Sequence, residues 1–502
     1  MQLSVPQRGL ADRDSFPIEP EDVGRWLERL SLASENAARE VLRGLKHSNR
    51  LHNDPARRRA VLGRFLPVLR ELHEQLIELT RAQPLPLVRE FARGTTLIEA
   101  LLREEAFAYK ILLSDSAQPD LEDARRAMRA LARQADVVVH GYRRLPDALL
   151  EDAHALYALV ESFGLLESRP APRESDPEEP AFIDHYRYVL LLAIADTHQL
   201  KARQLPFALD FLREAATEIK LSAYEEPGRR IGQLTFAVDL AKSARPERAP
   251  SLLIADPRTV RLFEIATVLQ RIDRSIGRIR TAHNLAFGVD ILERQTLAHV
   301  RAALAGERVR RAARPVSNDA QPALFGHKEI ATRLLFDMTR AEDDTAPVGD
   351  DAGWTLVNRS TQGAGLICLN CLPGTVQVGE LVALTGTDPR KRPASGRAAA
   401  LLGSVRWIRS DGSAGITLGL EYLARGVMPV SVVPSDARTT AAENALIIAC
   451  KIQQSLVQTI LLPPYLHETG DRLKATQGRR SREIRLKACL QNNGLFGHFL
   501  LE

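Results

Sequence analysis

The fold of the second half of this chain is decided by the stretch Trp354-Thr-Leu-Val-Asn-Arg-Ser-Thr-Gln-Gly-Ala-Gly-Leu366. Its opening tryptophan, leucine and valine favour an extended strand. At its centre, Asn358, Ser360 and Gly363 supply the short polar groups and the glycine that tight turns use. The stretch therefore predicts a strand that bends sharply and points hydrogen-bonding side chains outward at the tip of the bend.

Two later segments follow this stretch in a fixed order. They are Val405-Arg-Trp-Ile408 and Gly415-Ile-Thr-Leu-Gly-Leu-Glu-Tyr-Leu423, and both are rich in strand-forming residues. Together with the Asn-x-Ser-x-x-Gly pattern they resemble the PilZ domain family, whose small β-barrels receive cyclic di-GMP in bacteria. A six-residue pattern is weak by itself, and the ordered strands make the resemblance more specific. It covers roughly residues 330–435, about a fifth of the chain.

The resemblance implies a ligand site in two parts. The first family signature is Arg-x-x-x-Arg on a segment that leads into the barrel, and Arg310 and Arg314 have this spacing. The second signature is filled by Asn358, Ser360 and Gly363. By this resemblance, the five residues bind cyclic di-GMP as a ligand, and no cofactor is implied.

The chemistry of these residue types suits the implied ligand. Guanidinium groups pair bidentately with phosphate oxygens and with the Hoogsteen edge of guanine, and they stack on purine faces. Arg314 precedes Asn358 by 44 positions, which is longer than the family usually shows, so Arg333 and Arg340 are alternative clamps. A turn of the Asn-x-Ser type also forms without any ligand.

The composition indicates a soluble globular protein of several domains. A chain of 502 residues can hold two to four domains, and 45% hydrophobic with 26% charged residues is ordinary for such proteins. Aromatic residues at 5% are sparse, whereas alanine, leucine and arginine are abundant, which favours helices. The formal net charge of +5 is compatible with an anionic ligand and does not require nucleic acid.

Several function classes find no support in the sequence. It contains no G-x-S-x-G, H-E-x-x-H or Walker-type loop, so we expect a non-catalytic protein. The basic runs lack interleaved aromatic residues, so we expect no nucleic-acid partner. Four cysteines imply no disulfide framework, and a reducing compartment fits. Without a signal peptide or a run of 18 apolar residues, we expect a cytoplasmic protein with no membrane insertion.

The fold class we predict is α+β multidomain, with an α-helical N-terminal region followed by a PilZ-like antiparallel β-barrel, a C-terminal helix and short strands. The predicted divisions are a flexible lead-in at 1–19, a helical domain at 20–166, a linker at 167–180, a second helical domain with a short strand-like insert at 181–314, a linker at 315–330, the PilZ-like β-barrel at 331–436, and a C-terminal helix with short strands packing on the barrel at 437–502.

Some element predictions within these divisions are specific. Asp120 is expected to cap a helix, and Ile231–Asp239 alternates as a strand does. Thr332–Met338 is predicted as the first strand of the barrel. Ala437–Leu461 is predicted as the C-terminal helix. A basic cluster at residues 479–485 is expected on a solvated hairpin.

The functional hypothesis joins the two parts of the chain. We expect a non-catalytic cyclic di-GMP effector or adaptor, in which the helical region offers a surface to an unidentified protein partner. The family suggests outputs in motility, pili or biofilm control. The alternative is an interaction scaffold whose degenerate PilZ barrel binds no nucleotide, and the distance of the arginine pair from Asn358 favours that reading.

Overall fold

The structure is a computed structural model, and its chain divides into two compact units. The helical unit comprises residues 1–83 and 89–309, and the β unit comprises residues 84–88 and 310–502. The residues that the structure describes are 3–9, 16–30, 35–80, 85, 89–166, 180–224, 231–249, 256–281, 289–306, 315–339, 353–369, 376–385, 398–411, 415–435, 442–452 and 455–502.

The helical unit is built around one nearly fully buried helix. The helices are α1 (Pro20–Glu28), α2 (Glu35–Arg50), α3 (Pro55–Thr80), α4 (Arg89–Asp115), α5 (Leu121–His140), α6 (Asp147–Ser162), α7 (Phe182–Ile194), α8 (Leu205–Ala216), α9 (Ala266–Thr281) and α10 (Val289–Ala305). Helix α5 is the central one, because most of its residues are buried. As predicted, it begins where the Asp120 carboxylate accepts a hydrogen bond from the backbone N–H of Glu122 at 2.9 Å.

A small antiparallel sheet belongs to the same unit. Its strands are β1 (Lys220–Ala223), β2 (Thr235–Asp239), β3 (Glu247–Arg248) and β4 (Val260–Glu264), in the order β1-β4-β2-β3. The predicted strand at Ile231–Asp239 is therefore part of a larger insert. Arg261 on β4 forms an ion pair with Glu161 on α6, and this contact joins the sheet to the helices.

The described part of the predicted flexible lead-in is packed. Leu3 is buried, and the backbone N–H of Gly9 donates to the carbonyl of Arg50 at 3.1 Å. Arg8 also forms an ion pair with Asp115 at the end of α4. Residues 3–9 are thus held in place by burial of Leu3 and by the ion pair of Arg8. Both are tertiary contacts, so the proline and polar residues of this segment do not predict them.

The β unit contains antiparallel strands and one described helix. They are β5 (Val316–Ala320), β6 (Ala323–Phe325), α11 (His327–Thr339), β7 (Trp354–Arg359), β8 (Gly363–Cys368), β9 (Leu381–Thr385), β10 (Ala398–Ser410), β11 (Ile416–Pro434), β12 (Glu443–Ile452), β13 (Ser455–Leu462), β14 (Arg472–Gln477), β15 (Arg480–Asn492) and β16 (Gly497–Leu501). The long strand β11 organises the unit, because its two halves pair with different neighbours.

The first half of β11 belongs to one ring of strands. The ring runs β11-β10-β9-β6 on one side and β11-β8-β7-β5 on the other. Strands β5 and β6 are successive parts of one segment, residues 316–325, so this segment joins the two sides. At its midpoint, Gln321 donates its backbone N–H to Trp354 of β7 and its side-chain amide to Thr385 of β9, at 2.9 and 3.2 Å. We call this ring the first ring.

The second half of β11 belongs to a second ring. Its strands pair in the order β11-β12-β13-β16-β15-β14 and return to β11. Its interior contains Val430, Val432, Ala445, Ile447, Ile460, Leu462, Leu473, Ala475, Ile484, Leu486 and Phe499. Short strands were predicted within residues 437–502, and β14, β15 and β16 are strands there.

The predicted C-terminal helix is wrong in type. Ala437–Leu461 was expected to be a helix, but the described residues there form β12 and β13. Leu446 and Ile448 face one apolar core, while Ala445 and Ile447 face the other. A strand buried on both faces gives a continuous apolar run, which periodicity cannot distinguish from a helix.

The region just before the predicted barrel also differs from the prediction. Residues 315–330 were expected to be a linker, but they form β5, β6 and the start of α11. Thr332–Met338 lies in α11 and is not a strand. Ile330, Ala331 and Leu334 bury one helical face against the core that β9, β10 and β12 share.

The fold class is confirmed at the level of α+β. A helical N-terminal region, from about residue 20 to 216, is followed by antiparallel sheets that include a helix. That helix precedes β7 and does not close the chain. Among the residues that the structure describes, no helix has the length and apolarity needed to cross a membrane.

Candidate ligand-binding site

The turn between β7 and β8 is held by Ser360. Its backbone N–H donates to the carbonyl of Gly363 at 2.8 Å. Its hydroxyl donates to the same carbonyl and accepts from the N–H of Gly363, both at 3.1 Å. The predicted ligand residue therefore has a structural role, since its side chain closes the turn through hydrogen bonds to Gly363.

Position 363 requires glycine because β8 and β11 lie very close together there. A Cβ atom at this position would lie 2.1 Å from the carbonyl oxygen of Leu420 on β11. That contact is to backbone, so it cannot be relieved by turning a side chain. Any other residue would push β8 away from β11 at the base of the turn.

Asn358 is turned onto the outer face of the first ring by a β-bulge. Leu356 pairs with Leu366, but Asn358 pairs with Gly365, so Val357 is an extra residue on β7. A bulge of this kind re-aims the side chain that follows it. Leu356 faces the core, whereas Asn358 faces outward, and its carboxamide lies over Gly365, where a Cβ would be 2.9 Å from Nδ2.

The Oδ1 atom of Asn358 is shielded from solvent and has no hydrogen-bond partner among the residues that the structure describes. Leaving such an acceptor unsatisfied costs about 1–3 kcal/mol. A ligand N–H that reached this oxygen after a rotation of the carboxamide would recover that free energy. Asn358 is thus the member of the turn motif with unused hydrogen-bonding capacity.

A row of four residues crosses the outer face at this level. Asn358 pairs with Gly365, Gly365 with Gly419, and Gly419 with Trp407, on strands β7, β8, β11 and β10. We call this set the outer row. A second bulge, between Val405 and Trp407, brings the tryptophan onto this face. The two glycines leave the middle of the row without side chains.

At the tryptophan end of the outer row, the side chain of Arg409 lies over the indole of Trp407. The indole of Trp407 lies across Gly419, since a Cβ there would be 2.0 Å from Nε1. The guanidinium carbon of Arg409 lies 5.1 Å from the indole centroid, within the range of a cation–π contact. Both residues are half-buried.

The predicted arginine pair, Arg310 and Arg314, lies outside the described residues. The chain just after it is described, and Pro315 accepts a hydrogen bond from the backbone N–H of Arg359 at 3.3 Å. Val316 pairs with Asn358 itself. The 44 positions between Arg314 and Asn358 therefore include β5, β6 and α11, after which the chain returns to pair with β5.

The alternative arginines are placed differently. Arg340 also lies outside the described residues. Arg333 lies on α11 and forms an exposed ion pair with Asp337 at 3.2 Å. In the basic cluster, Arg485 pairs with Glu502 at 3.2 Å, and Arg482 donates to Gln458. That cluster lies on the β14–β15 hairpin of the second ring, as the sequence predicted.

One cysteine differs from expectation. Cys368, buried at the end of β8, is disulfide-bonded. Cys450 and Cys489 are free thiols. The sequence implied no disulfide framework, and it did not predict the disulfide of Cys368.

Sequence reasoning did not identify Arg409 or the alignment of the outer row. The signal that could have found the row is the placement of Gly365 and Gly419 inside strands. A glycine within a strand often marks a site where another group approaches the backbone closely. Here those groups are the side chains of Asn358 and Trp407.

Comparison with known proteins gives one family match. Residues 21–227 match the family model described as the N-terminal domain of the cyclic-di-GMP receptor FimW. The matched span is about two-fifths of the chain and lies in the helical unit. No curated protein and no solved structure matches the chain. The match supports a relationship to cyclic di-GMP receptors, and it does not extend to the residues that resemble a PilZ domain.

Proposed function

We propose that this protein is a cyclic di-GMP receptor whose β unit binds the nucleotide between the Arg310–Arg314 segment and the turn that holds Asn358, Ser360 and Gly363. The observation that carries the proposal is the pairing of Val316 with Asn358. This pairing starts two residues after Arg314, so the sequence separation between the two signatures is no obstacle to a common site. The likeness of residues 21–227 to a cyclic-di-GMP receptor supports the choice of ligand.

Each group has a distinct role in the proposed site. The arginines pair with the phosphates and with a guanine edge. The carboxamide of Asn358 accepts from a guanine N–H, which satisfies its Oδ1 atom. Ser360 and Gly363 act chiefly by fixing the turn and its distance from β11.

The position of the arginine segment suggests how binding is coupled to output. In sequence, this segment connects α10 of the helical unit to β5 of the β unit. A ligand that ties Arg310 and Arg314 to β7 favours one arrangement of this connection. The helical unit then presents a protein-binding surface whose availability depends on cyclic di-GMP. The proposed activity is non-catalytic.

The alternative function is an interaction scaffold that binds no nucleotide. It is favoured by the structural roles of Ser360 and Gly363, which need no ligand. The two functions make opposite predictions for a binding experiment.

The test is isothermal titration of the full chain with cyclic di-GMP, with GTP and cyclic di-AMP as controls. We expect selective binding at micromolar affinity or tighter. The double variant Arg310→Ala with Arg314→Ala should lose binding, because two charge-assisted contacts at about 1.5–3 kcal/mol each disappear. Arg333→Ala, which removes a half-buried arginine paired with Asp337 on α11, should bind as the wild type does.

The outcomes separate the two functions. Absence of heat and of a thermal shift with the wild-type chain would refute the receptor and favour the scaffold. Selective binding that survives the double arginine substitution would place the ligand elsewhere, with the helical unit as the next region to examine because of its likeness to a receptor domain.

A further inference from the structure

Two β-hairpins of the second ring close at the same end of that ring. The β14–β15 hairpin closes where Gln477 pairs with Arg480. Arg482, near the start of β15, donates to the side chain of Gln458 near the start of β13 at 3.4 Å, so the β12–β13 hairpin closes at this end as well. The end of α11 lies here too, because the amide nitrogen of Gln477 is 3.7 Å from the sulfur of Met338. We call this surface the hairpin end.

The hairpin end is basic. Its four exposed cations are Lys451, Arg479, Arg480 and Arg482. Among the described residues from 449 to 458 and from 476 to 482, which form the two tips, none is aspartate or glutamate. The cations are therefore not balanced by acids of the same tips.

The neighbouring acids lie on the outer wall of the second ring. Glu483 and Arg485 alternate along β15 with the buried Ile484, so they point to that wall. There Glu483 lies opposite Lys474 on β14, and Glu502 pairs with Arg485 at 3.2 Å. Each acid thus has a basic neighbour on the wall, and the hairpin end keeps a net positive charge that matches an anionic partner.

An exposed leucine lies among these cations. Leu456 is 76% exposed and pairs with Lys451 across the β12–β13 hairpin. Met338 adds a second exposed apolar side chain at the hairpin end. Single exposed apolar residues are common on protein surfaces. Their combination with a group of cations is typical of surfaces that lie on membranes, because cations attract anionic headgroups while apolar side chains enter the boundary between headgroups and acyl chains.

We propose that the hairpin end is a docking surface for a bilayer that carries anionic lipids. The four cations lie at the level of the lipid headgroups, and Leu456 enters the interface. Nucleic acid is a poorer match, because the residues of the two tips include no aromatic side chain on which a base could stack. The surface belongs to the second ring, so the proposal does not depend on nucleotide binding at the first ring.

The charge of the hairpin end is large enough to select an anionic surface. One lysine or arginine near such a surface strengthens binding about 5-fold, so four of them give a preference over a neutral bilayer on the order of several hundred-fold. Salt reduces the reach of these charges from about 10 Å at 0.1 M to about 3 Å at 1 M. Binding should therefore weaken steeply as salt is added.

The first measurement is flotation of the full chain, without nucleotide, with vesicles of phosphatidylcholine alone or of phosphatidylcholine with about one-quarter phosphatidylglycerol. At about 0.05 M salt the wild type should float with the anionic vesicles and not with the neutral ones, and flotation should decline at about 0.5 M salt. Equal binding to both compositions, or no binding to the anionic vesicles at low salt, would overturn the proposal.

The second measurement tests the cations in a triple variant: Arg479→Gln, Arg480→Gln and Arg482→Gln. It should bind the anionic vesicles roughly 100-fold more weakly, since three contributions of about 5-fold each are lost. The matched control removes the same charge from exposed positions elsewhere on the β unit: Lys328→Gln, Arg425→Gln and Arg472→Gln. The control should bind within about 5-fold of the wild type. All six side chains are exposed, so both variants should melt at the wild-type temperature.

The third measurement tests the apolar contact. Leu456→Ser should weaken vesicle binding by up to about 10-fold, and this loss should persist at high salt because it does not depend on charge. Leu490→Ser is the matched control, since Leu490 is also exposed but lies near the opposite end of β15. It should bind as the wild type does.

The remaining outcomes test the surface and the partner separately. Wild-type vesicle binding in the triple variant, or an equal loss in its control, would overturn the hairpin end as the docking surface. Tighter binding to duplex DNA or to polyglutamate than to anionic vesicles, lost in the same triple variant, would overturn the choice of a bilayer. Failure of the chain to bind cyclic di-GMP would refute the proposed receptor and would leave the vesicle result unaffected.

Discussion

Substitution of Gly363 by alanine tests whether the glycine of the turn motif serves the fold or only the ligand. The added Cβ would lie 2.1 Å from the carbonyl oxygen of Leu420, whereas real Cβ atoms rarely approach any heavy atom within 3.0 Å. Strands β8 and β11 must therefore separate by about 1 Å at this point. The matched variant is Gly365→Ala, where the nearest atom is the movable amide of Asn358 at 2.9 Å.

The expected cost follows from these contacts. Overpacking a close contact costs about 1–3 kcal/mol, and weakening one hydrogen bond between the strands adds about 1 kcal/mol. We therefore expect Gly363→Ala to lower the free energy of unfolding of the β unit by about 2–4 kcal/mol. Gly365→Ala should cost about 1 kcal/mol, because the carboxamide of Asn358 can rotate away.

The assay is urea unfolding in the absence of nucleotide. Emission from Trp354 and Trp407, in a Trp26→Phe background, reports on the β unit alone. With a slope of about 2–3 kcal/mol per molar urea, the midpoint for Gly363→Ala should fall by about 1 M. A midpoint within about 0.2 M of the wild type, on the same slope, would refute the close approach of β8 to β11 on which this reasoning depends.

Two further predictions concern stability. Ser360→Ala should lower the free energy of unfolding by about 1 kcal/mol without ligand, because the hydroxyl closes the turn, and an unchanged urea midpoint would contradict that role. Burial lowers the pKa of His498 to about 4 from 6.5, so the neutral ring is favoured in the folded state. Stability of the β unit should be intact above pH 6.5 and should fall, by up to about 3 kcal/mol, as the pH drops to 4. His498→Gln should flatten this decline between pH 7 and 4.5, whereas the exposed His52→Gln control should not.

Local sequence signals were reliable where a segment is shaped by its own residues. The turn at Ser360–Gly363 forms as the Asn-x-Ser-x-x-Gly pattern predicts. Asp120 caps α5. In both cases the hydrogen bonds join residues that are two or three positions apart, so the sequence contains the whole interaction.

The signals failed where pairing with distant strands decides the structure of a segment. The apolar run of β12 serves two cores at once, and its pattern is the same for a strand and for a buried helix. The segment 315–330 was expected to be a linker. Part of it forms the strands β5 and β6, because β7 and β9 offer their backbone groups to them.

The sequence by itself determined the helical character of the N-terminal half, the hairpin turn and the residue types suited to a cyclic dinucleotide. Only the tertiary structure decided that Val316 pairs with Asn358 and that Gly365 and Gly419 align between Asn358 and Trp407. Strand register joins residues far apart in the sequence, and a single bulge moves a side chain to the opposite face. Local periodicity contains neither piece of information, so the proposed binding surface appears only when the strands are paired.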